Sequence, residues 1–334
     1  MTRALMNGDH ETALLLHSWY SVGVREVDQS QLIVNESERL GHGAFGDVYR
    51  GTYCDRQVAV KKLRDQNSSQ FDREIRLLTK CSSPYIVQLI ASSPTQLVLE
   101  LMDAGDLCNF LKDKRSGIWT KVDYSMLEVA WAIAHALVDL HGRRVIHRDL
   151  KSANVLLSTD KYIKVGDFGA SNILQTTMTM HIVGTVAYVA PEVLRNNGRY
   201  GAAADIYSYG VILTELDTLQ LPYTDSIKPM GVVDILHGVS AGTLRPTISD
   251  ACAPWMRALI TACLEESPQK RPTALEIVTM LAPHMKGDGR CISADTLGGS
   301  QPSCDAVEAD VEVVSKIELD LMRRFCLGRS ILCL

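Results

Sequence analysis

The chain has 334 residues, 46% of them hydrophobic and 22% charged, a globular composition long enough for one large two-lobed domain or two ordinary ones. Its net charge of −5 excludes a strong field drawing it to nucleic acid or to an anionic membrane, while a basic partner stays open. The nine cysteines form an odd set with no C-x-x-C pair, which argues against a zinc ribbon or a thioredoxin-like site and favours reduced thiols and a cytoplasmic location.

Residues 1–36 read as a flanking segment. Asp9, His10 and Glu11 precede the short apolar run Ala13 to Leu16, a poor signal peptide. Glu11 to Tyr20 is open between one helix and a tail. No stretch approaches the roughly 18 apolar residues of a membrane span. From Glu38 the pattern is one of strands: Arg39-Leu40 leads into a glycine-rich turn, Val48 to Tyr53 follows, and Cys54-Asp55-Arg56 turns into Gln57 to Lys61. Phe71, Ile75, Leu77 and Leu78 have helical spacing, with Ser68 and Ser69 as cap candidates. Ile86 to Ala91 and Gln96 to Glu100 complete a small sheet with one helix. After Asp103-Ala104-Gly105 the chain turns mainly helical. Met126 to Leu140 has the all-round apolar character of a buried helix. Two short strands, Val155 to Leu157 and Ile163 to Val165, flank Ser158-Thr159-Asp160. Helices are predicted at Asp205 to Leu216, Val232 to His237, Trp255 to Cys263 and Thr273 to His284, with Pro268 and Pro272 between the last two. Residues 37–285 thus read as one domain, a small lobe over 37–101 and a large lobe over 102–285. Residues 286–334 read as a linker leading to a candidate amphipathic helix, in which Val307, Val311, Val314, Ile317, Leu321 and Phe325 recur at helical spacing.

The chemistry is concentrated in two segments. His147-Arg148-Asp149-Leu150-Lys151-Ser152-Ala153-Asn154 is followed by Asp167-Phe168-Gly169. Asp149 can accept the proton of an attacking hydroxyl, Lys151 can offset charge on a transferring phosphoryl group, and Asn154 and Asp167 can hold a metal against nucleotide phosphates. His147 reads as a packed histidine that buttresses the loop. Upstream, Gly41-His42-Gly43-Ala44-Phe45-Gly46-Asp47-Val48 lets backbone N–H groups approach phosphate. Alone it is a weak signal, but a strand follows it where a dinucleotide fold would place a helix, so it reads as a hairpin loop over phosphates. Lys61 ends an apolar strand; Glu74 on the next helix can fix its ammonium, and Asp72 lies on another helix face.

With these motifs in order, and with Val58-Ala59-Val60-Lys61, Ala190-Pro191-Glu192, Asp205 and Arg271, the chain resembles a eukaryotic protein kinase. The resemblance implies an α+β, two-lobed fold, a mainly antiparallel β lobe with one helix over a larger helical lobe. It implies ATP and Mg2+ at the junction. Leu40, Gly41, Gly43, Gly46 and Val48 would cover the nucleotide, and Ala59 and Leu156 would sandwich the base with Val48. Glu100 to Met102 would be the hinge, Leu99 the guard of the pocket behind it, and Asp106 a ribose contact. Glu192 and Arg271 would form a buried ion pair, Asp205 would hold the catalytic loop, and Leu78, Leu89, His147 and Phe168 would stack into an internal column. Tyr207 stands where the family more often has Trp, a packing change.

Lys151, and Thr185 bridging it to Asp149, resemble the serine/threonine kinases, and the wording around both is similar to their tyrosine-kinase-like group. Among Ser171, Thr176, Thr177 and Thr179, phosphate on one of the threonines is expected to pair with Arg148 and order the loop. The expected partners are protein substrates bearing Ser or Thr and an upstream kinase or self-phosphorylation; the oligomeric state is open. Other readings are a dual-specificity kinase and a nucleotide-binding scaffold with little turnover. At the C-terminus, acylation of Cys326 or Cys333 competes with a packing helix as the better reading, and Ile331 at the fourth position from the end excludes a prenylation box.

Overall fold

The structure, a computed structural model, describes residues 12, 25–43, 46–63, 68–168, 186–195, 201–224 and 231–285. The chain divides into a unit Met1–Asp288 and a unit Gly289–Leu334, and all described residues lie in the first.

Strands come first. Arg25–Glu26 (β1), Leu32–Gly43 (β2), Gly46–Tyr53 (β3), Arg56–Leu63 (β4), Leu89–Ser92 (β5) and Gln96–Glu100 (β6) form one six-stranded sheet in the order β1-β5-β6-β4-β3-β2. The pairings are antiparallel except β1 with β5, which is parallel. Helix α1 (Ser68–Lys80) is inserted between β4 and β5. The β3–β4 hairpin turns through Cys54 and Asp55, both at positive φ (49° and 61°), the tight connection that the short polar run predicts.

The sheet starts earlier than the sequence predicts. β2 begins at Leu32 rather than Glu38, and residues 25–36, read as flanking, supply β1 and the first part of β2. The polar run Asn35 to Glu38 hides the strand because the register slips there, between Asn35 and Arg39, and a slip breaks the period-2 pattern. Val27 joins Tyr53, Val58, Val60, Ala91 and Val98 in a small core of its own. The strand predicted over Ile86 to Ala91 is shorter: β5 starts at Leu89, and Ile86 makes an isolated parallel bridge to Val165.

The remainder is helical around one pair of strands. Leu107–Arg115 (α2) and Met126–Gly142 (α3) precede Val155–Ser158 (β7) and Tyr162–Val165 (β8), which pair antiparallel. Pro191–Arg195 (α4), Ala202–Thr218 (α5), Val232–Ala241 (α6), Pro254–Cys263 (α7) and Ala274–Met285 (α8) follow. α3 starts from a capping box: Ser125 Oγ accepts from Glu128 N at 3.2 Å, and Glu128 Oε2 accepts from Ser125 N at 2.7 Å. Its Val129, Ala130, Ile133, Ala134, Ala136, Leu137 and Leu140 are fully buried, as the all-round apolar sequence predicts. α2 has the cap Asp106 and no apolar stripe long enough to announce it. The candidate amphipathic helix over 307–325 lies outside the described residues. Among the described residues no helix is long and apolar enough to cross a membrane.

Candidate active site

The two lobes meet around Lys61. β4 carries it inward beside Val58 and Val60, and α1 brings Glu74 to it: Lys61 Nζ lies 2.7 Å from Glu74 Oε1 and 3.1 Å from Asp167 Oδ1. Burial opposes the ammonium, but Asp167 and Glu74 outweigh it and hold Lys61 above its ordinary value. Burial likewise opposes charge on Asp167, and the Lys61 ammonium beside it keeps that carboxyl below the usual range. Asp167 sits in the left-handed region, with φ at 58°, a costly conformation for a residue with a Cβ. The backbone before it is pinned on both sides, by Gly166 N donating to Asn154 O at 2.9 Å and Val165 N donating to Tyr85 O at 2.8 Å.

The catalytic-loop candidates converge as well. Lys151 Nζ donates to Asp149 Oδ2 at 2.7 Å, and Asn154 Nδ2 donates to Asp149 O at 2.7 Å and to Oδ2 at 3.1 Å. With the amide nitrogen spent on Asp149, Asn154 has its Oδ1 left as a ligand oxygen. Oxygen from a neutral amide and from the charged Asp167 carboxylate is the donor set that a hard divalent cation takes, so these residues fit one. His147 is buried, its Nε2 3.1 Å from Gly166 O and its Nδ1 3.3 Å from Asp149 N. The carbonyl can only accept, so Nε2 carries the hydrogen and Nδ1 accepts from Asp149 N. Both nitrogens are committed to backbone, which makes His147 a buttress, and its ring lies 4.9 Å from that of Phe168. Leu78 and Leu89 are buried in the same core as Phe168.

Asp205, 1% exposed, accepts from His147 N at 2.8 Å and Arg148 N at 2.9 Å and pairs with His141 Nε2 at 2.9 Å. Two backbone N–H groups on one carboxylate explain how Arg148 is held at φ 72°. Arg271 meets Glu192 through two bonds of 2.8 Å, and gives its other three N–H groups to the carbonyls of Ala203, Glu265 and Glu266. All five guanidinium donors are thereby used, and the group lies 5.0 Å over the Tyr207 ring, the position where Tyr stands for Trp.

Around the cleft, Gly41 pairs with Val48 and Gly43 with Gly46 across the β2–β3 hairpin. A Cβ on Gly46 would lie 2.0 Å from the Lys62 carbonyl oxygen, so only glycine fits. Leu40 is exposed. Ala59 is cross-strand from Leu99 and from Arg50, and Val48 from Lys61. Met102 and Glu100 are buried, and Asp106 bridges to Leu156. Asp106 caps α2: its Oδ1 accepts from Asn109 N at 2.9 Å and its Oδ2 from Asn109 Nδ2 at 2.7 Å. Gly169, Thr176, Thr177, Thr179 and Thr185 lie outside the described residues, as do the side chains of 68–73, Asp72 among them.

Two buried side chains, Lys164 and Glu215, went unread in the sequence. Glu100 turns its carboxylate to Lys164, Nζ to Oε1 at 2.6 Å. Glu215 takes a bond from Ser152 Oγ at 2.9 Å, and Ser152 Oγ also lies 3.0 Å from the Tyr188 hydroxyl. A carboxylate in the apolar helix α5 was the available signal for Glu215.

Residues 34–281 match the protein kinase domain model, and the chain belongs to the protein kinase family. It is 36% identical over 269 residues to the probable serine/threonine-protein kinase drkB of Dictyostelium discoideum, covering 77% of this chain and 37% of that one. It is 33% identical to the serine/threonine-protein kinase STY17 of Arabidopsis thaliana, with 77% and 45% covered. It is 34% identical to the serine/threonine/tyrosine-protein kinase HT1 of the same plant, with 78% and 69% covered. Against the first relatives the chain spans between 20% and 45% of their length. These matches support the resemblance to the tyrosine-kinase-like group.

Proposed function

We propose that the chain is an ATP-dependent protein serine/threonine kinase of intracellular signalling. One observation carries the reading: Lys61 bridges Glu74 and Asp167 at 2.7 and 3.1 Å, joining both lobes, while Asp149, Lys151 and Asn154 converge beside them. In this reading Lys61, freed in part from Asp167, holds the α- and β-phosphates and Glu74 fixes its ammonium. The β2–β3 hairpin with Gly41, Gly43 and Gly46 covers the phosphates. Val48, Ala59 and Leu156 enclose the base, Leu40 and Leu99 bound its pocket, the backbone of Glu100 to Met102 meets adenine, and Asp106 meets the ribose. Asp149 orients a Ser or Thr hydroxyl and accepts its proton as that oxygen bonds to the γ-phosphorus and the bond from this phosphorus to the β–γ bridging oxygen breaks, ADP leaving with the electron pair. Lys151, with Thr185, offsets charge on the transferring group. Asn154 and Asp167 would hold Mg2+, which, when bound, neutralises phosphate charge during transfer. Most of the rate gain is positioning and charge stabilisation, because the phosphoryl transition state asks little else of the protein.

The domain runs over 37–285, with the strands at 25–36 as its N-terminal extension. Phosphate on Thr176, Thr177 or Thr179, from an upstream kinase or from the chain itself, would pair with Arg148. The five described cysteines are free thiols, which supports a cytoplasmic location. The name of the HT1 relative, which includes tyrosine, favours dual specificity as the second reading.

The test is transfer from Mg-ATP to a generic protein substrate by the chain, by Asp149→Asn and by Lys61→Met, followed by phosphoamino-acid analysis. Phosphoserine or phosphothreonine that vanishes in both variants is expected. Phosphotyrosine alongside them selects the second reading, and ATP binding without transfer by the parent chain defeats both in favour of a scaffold.

A further inference from the structure

We infer that Asp103 positions two walls of the base pocket by clamping the end of the hinge to the turn between β7 and β8. The clamp rests on the kinase reading for what it positions. Asp103 directly follows Met102, and Ser158 comes two residues after Leu156. Ser158 Oγ donates to Asp103 Oδ1 at 2.5 Å, Thr159 N to the same oxygen at 3.0 Å, and Thr159 Oγ1 to Oδ2 at 2.8 Å. Both carboxylate oxygens are thus taken by a turn about 55 positions away in the chain. Burial opposes charge on Asp103, but the Ser158 and Thr159 donors outweigh it and bring the carboxyl down to about 2. At neutral pH the three bonds are therefore charge-assisted.

In the kinase reading the hinge and β7 supply different walls: the backbone of Glu100 to Met102 meets the edge of adenine, and Leu156 meets its face. Two backbone bonds join these segments beyond the pocket, with Ala104 N donating to Leu157 O at 3.0 Å and Leu157 N to Gly105 O at 2.8 Å. The second ends on Gly105, which stands at φ 80° and whose backbone turns freely. Asp103 adds a side-chain tie on the hinge side of that glycine. Each partner is anchored in its own right: Tyr124 Oη donates to Ser158 O at 2.6 Å, and Lys121 Nζ to Asp103 O at 3.0 Å. A turn that needed only a cap has its own acid for it, Asp160, whose Oδ1 lies 2.8 Å from Ser158 Oγ. The carboxylate that gathers both hydroxyls comes from the hinge instead, so turn and hinge keep one spacing. Asp103 touches no nucleotide in this reading and is a positioning residue.

The test uses the whole chain with Asp103→Ala, with Asp103→Asn, and with Ser158→Ala and Thr159→Val together, which removes both hydroxyl donors and leaves the hinge untouched. Melting temperature reads folding. The Kd values for adenosine and for adenylyl imidodiphosphate with magnesium chloride read the base pocket. The Kd for tripolyphosphate with magnesium chloride reads the phosphate end alone, and KM for ATP and kcat stand beside them. Asp103→Ala is expected to raise the adenosine Kd, the analogue Kd and KM by about tenfold, the scale of loss that misplacement brings. The tripolyphosphate Kd and kcat at saturating ATP change by less than about twofold, because the lost binding is shared by substrate and transition state. Asp103→Asn keeps an acceptor oxygen for Ser158 Oγ and Thr159 N and is expected to recover most of the adenosine affinity. The turn-side double variant is expected to weaken adenosine several-fold. Parent-like adenosine binding by Asp103→Ala overturns the clamp, and so does an equal loss for adenosine and tripolyphosphate, which marks general loosening. If Asp103→Ala fails to fold, parent-like adenosine binding by the turn-side variant overturns it instead. Analogue binding without transfer by the parent defeats the kinase reading alone and leaves the Kd comparison to judge the clamp.

Discussion

Glu215 lies on α5 against Ser152 of the loop that carries Asp149, 1% exposed, and burial pushes its carboxyl up to about 8, although Ser152 and Tyr188 pull the other way. An acid whose folded value exceeds its unfolded value of 4.5 keeps its proton on folding across that interval. Its contribution to stability is whole below 4.5 and is lost as pH rises toward 8. Glu215→Gln mimics the protonated form. The gap between the denaturant midpoints of variant and parent should therefore be smallest below pH 4.5 and widen in favour of the variant as pH rises toward 8; parallel curves would show that the carboxyl is charged throughout. At this scale, residues with a fixed chemical order were legible: Asp149, Lys151, Asn154 and Asp167 share one loop and the strand pair after it. Lys164 was not legible, because its carboxylate partner is 64 positions away and a lysine in a short strand reads as a solvated one. Asp106 was legible as a polar residue near the hinge, but its engagement as a helix cap depends on Asn109, which the ribose reading did not weigh.

Elements were legible where period or capping was strong. Thr273 to His284 was predicted as a helix, and Thr273 proves to be its cap, bonded to Glu276 in both directions at 2.7 and 3.3 Å. α3 was plain from its apolar run, and its start is set by Ser125. Ser125→Ala deletes one half of that capping box and should lower unfolding free energy by about 1 kcal/mol with nucleotide affinity unchanged; an unaltered denaturant midpoint would assign the helix start to packing alone. β2 failed as a prediction for a different reason. Its apolar residues Leu32 and Val34 precede a polar run, and strand pairing there is kept by side-chain bonds such as Arg50 Nε to Glu38 Oε1 at 2.5 Å, which no hydrophobic period reveals.

For the whole molecule, the division of labour follows from where the charged groups are buried. The helical lobe uses Asp205 and Arg271 to fix its loops, and among its ties to the small lobe are the ion pairs Lys61–Asp167 and Lys164–Glu100 and the backbone bonds of Val165 to Tyr85 and Val87. The sheet has its own protection, and it comes from residues that precede the matched region 34–281. β1 covers the outer side of β5 through Arg25↔Ala91 and Glu26↔Ser92, and Val27 N donates to Ser92 O at 3.0 Å. Without them β5 would present a bare row of backbone donors and acceptors, a template for another chain. A fragment begun at residue 34 should therefore self-associate as concentration rises in sedimentation velocity, where the full chain does not change; a fragment that stays monomeric and equally stable would count against it. Those few residues before the domain act as a sealing strip, and excising a minimal domain by the limits of family similarity would remove it.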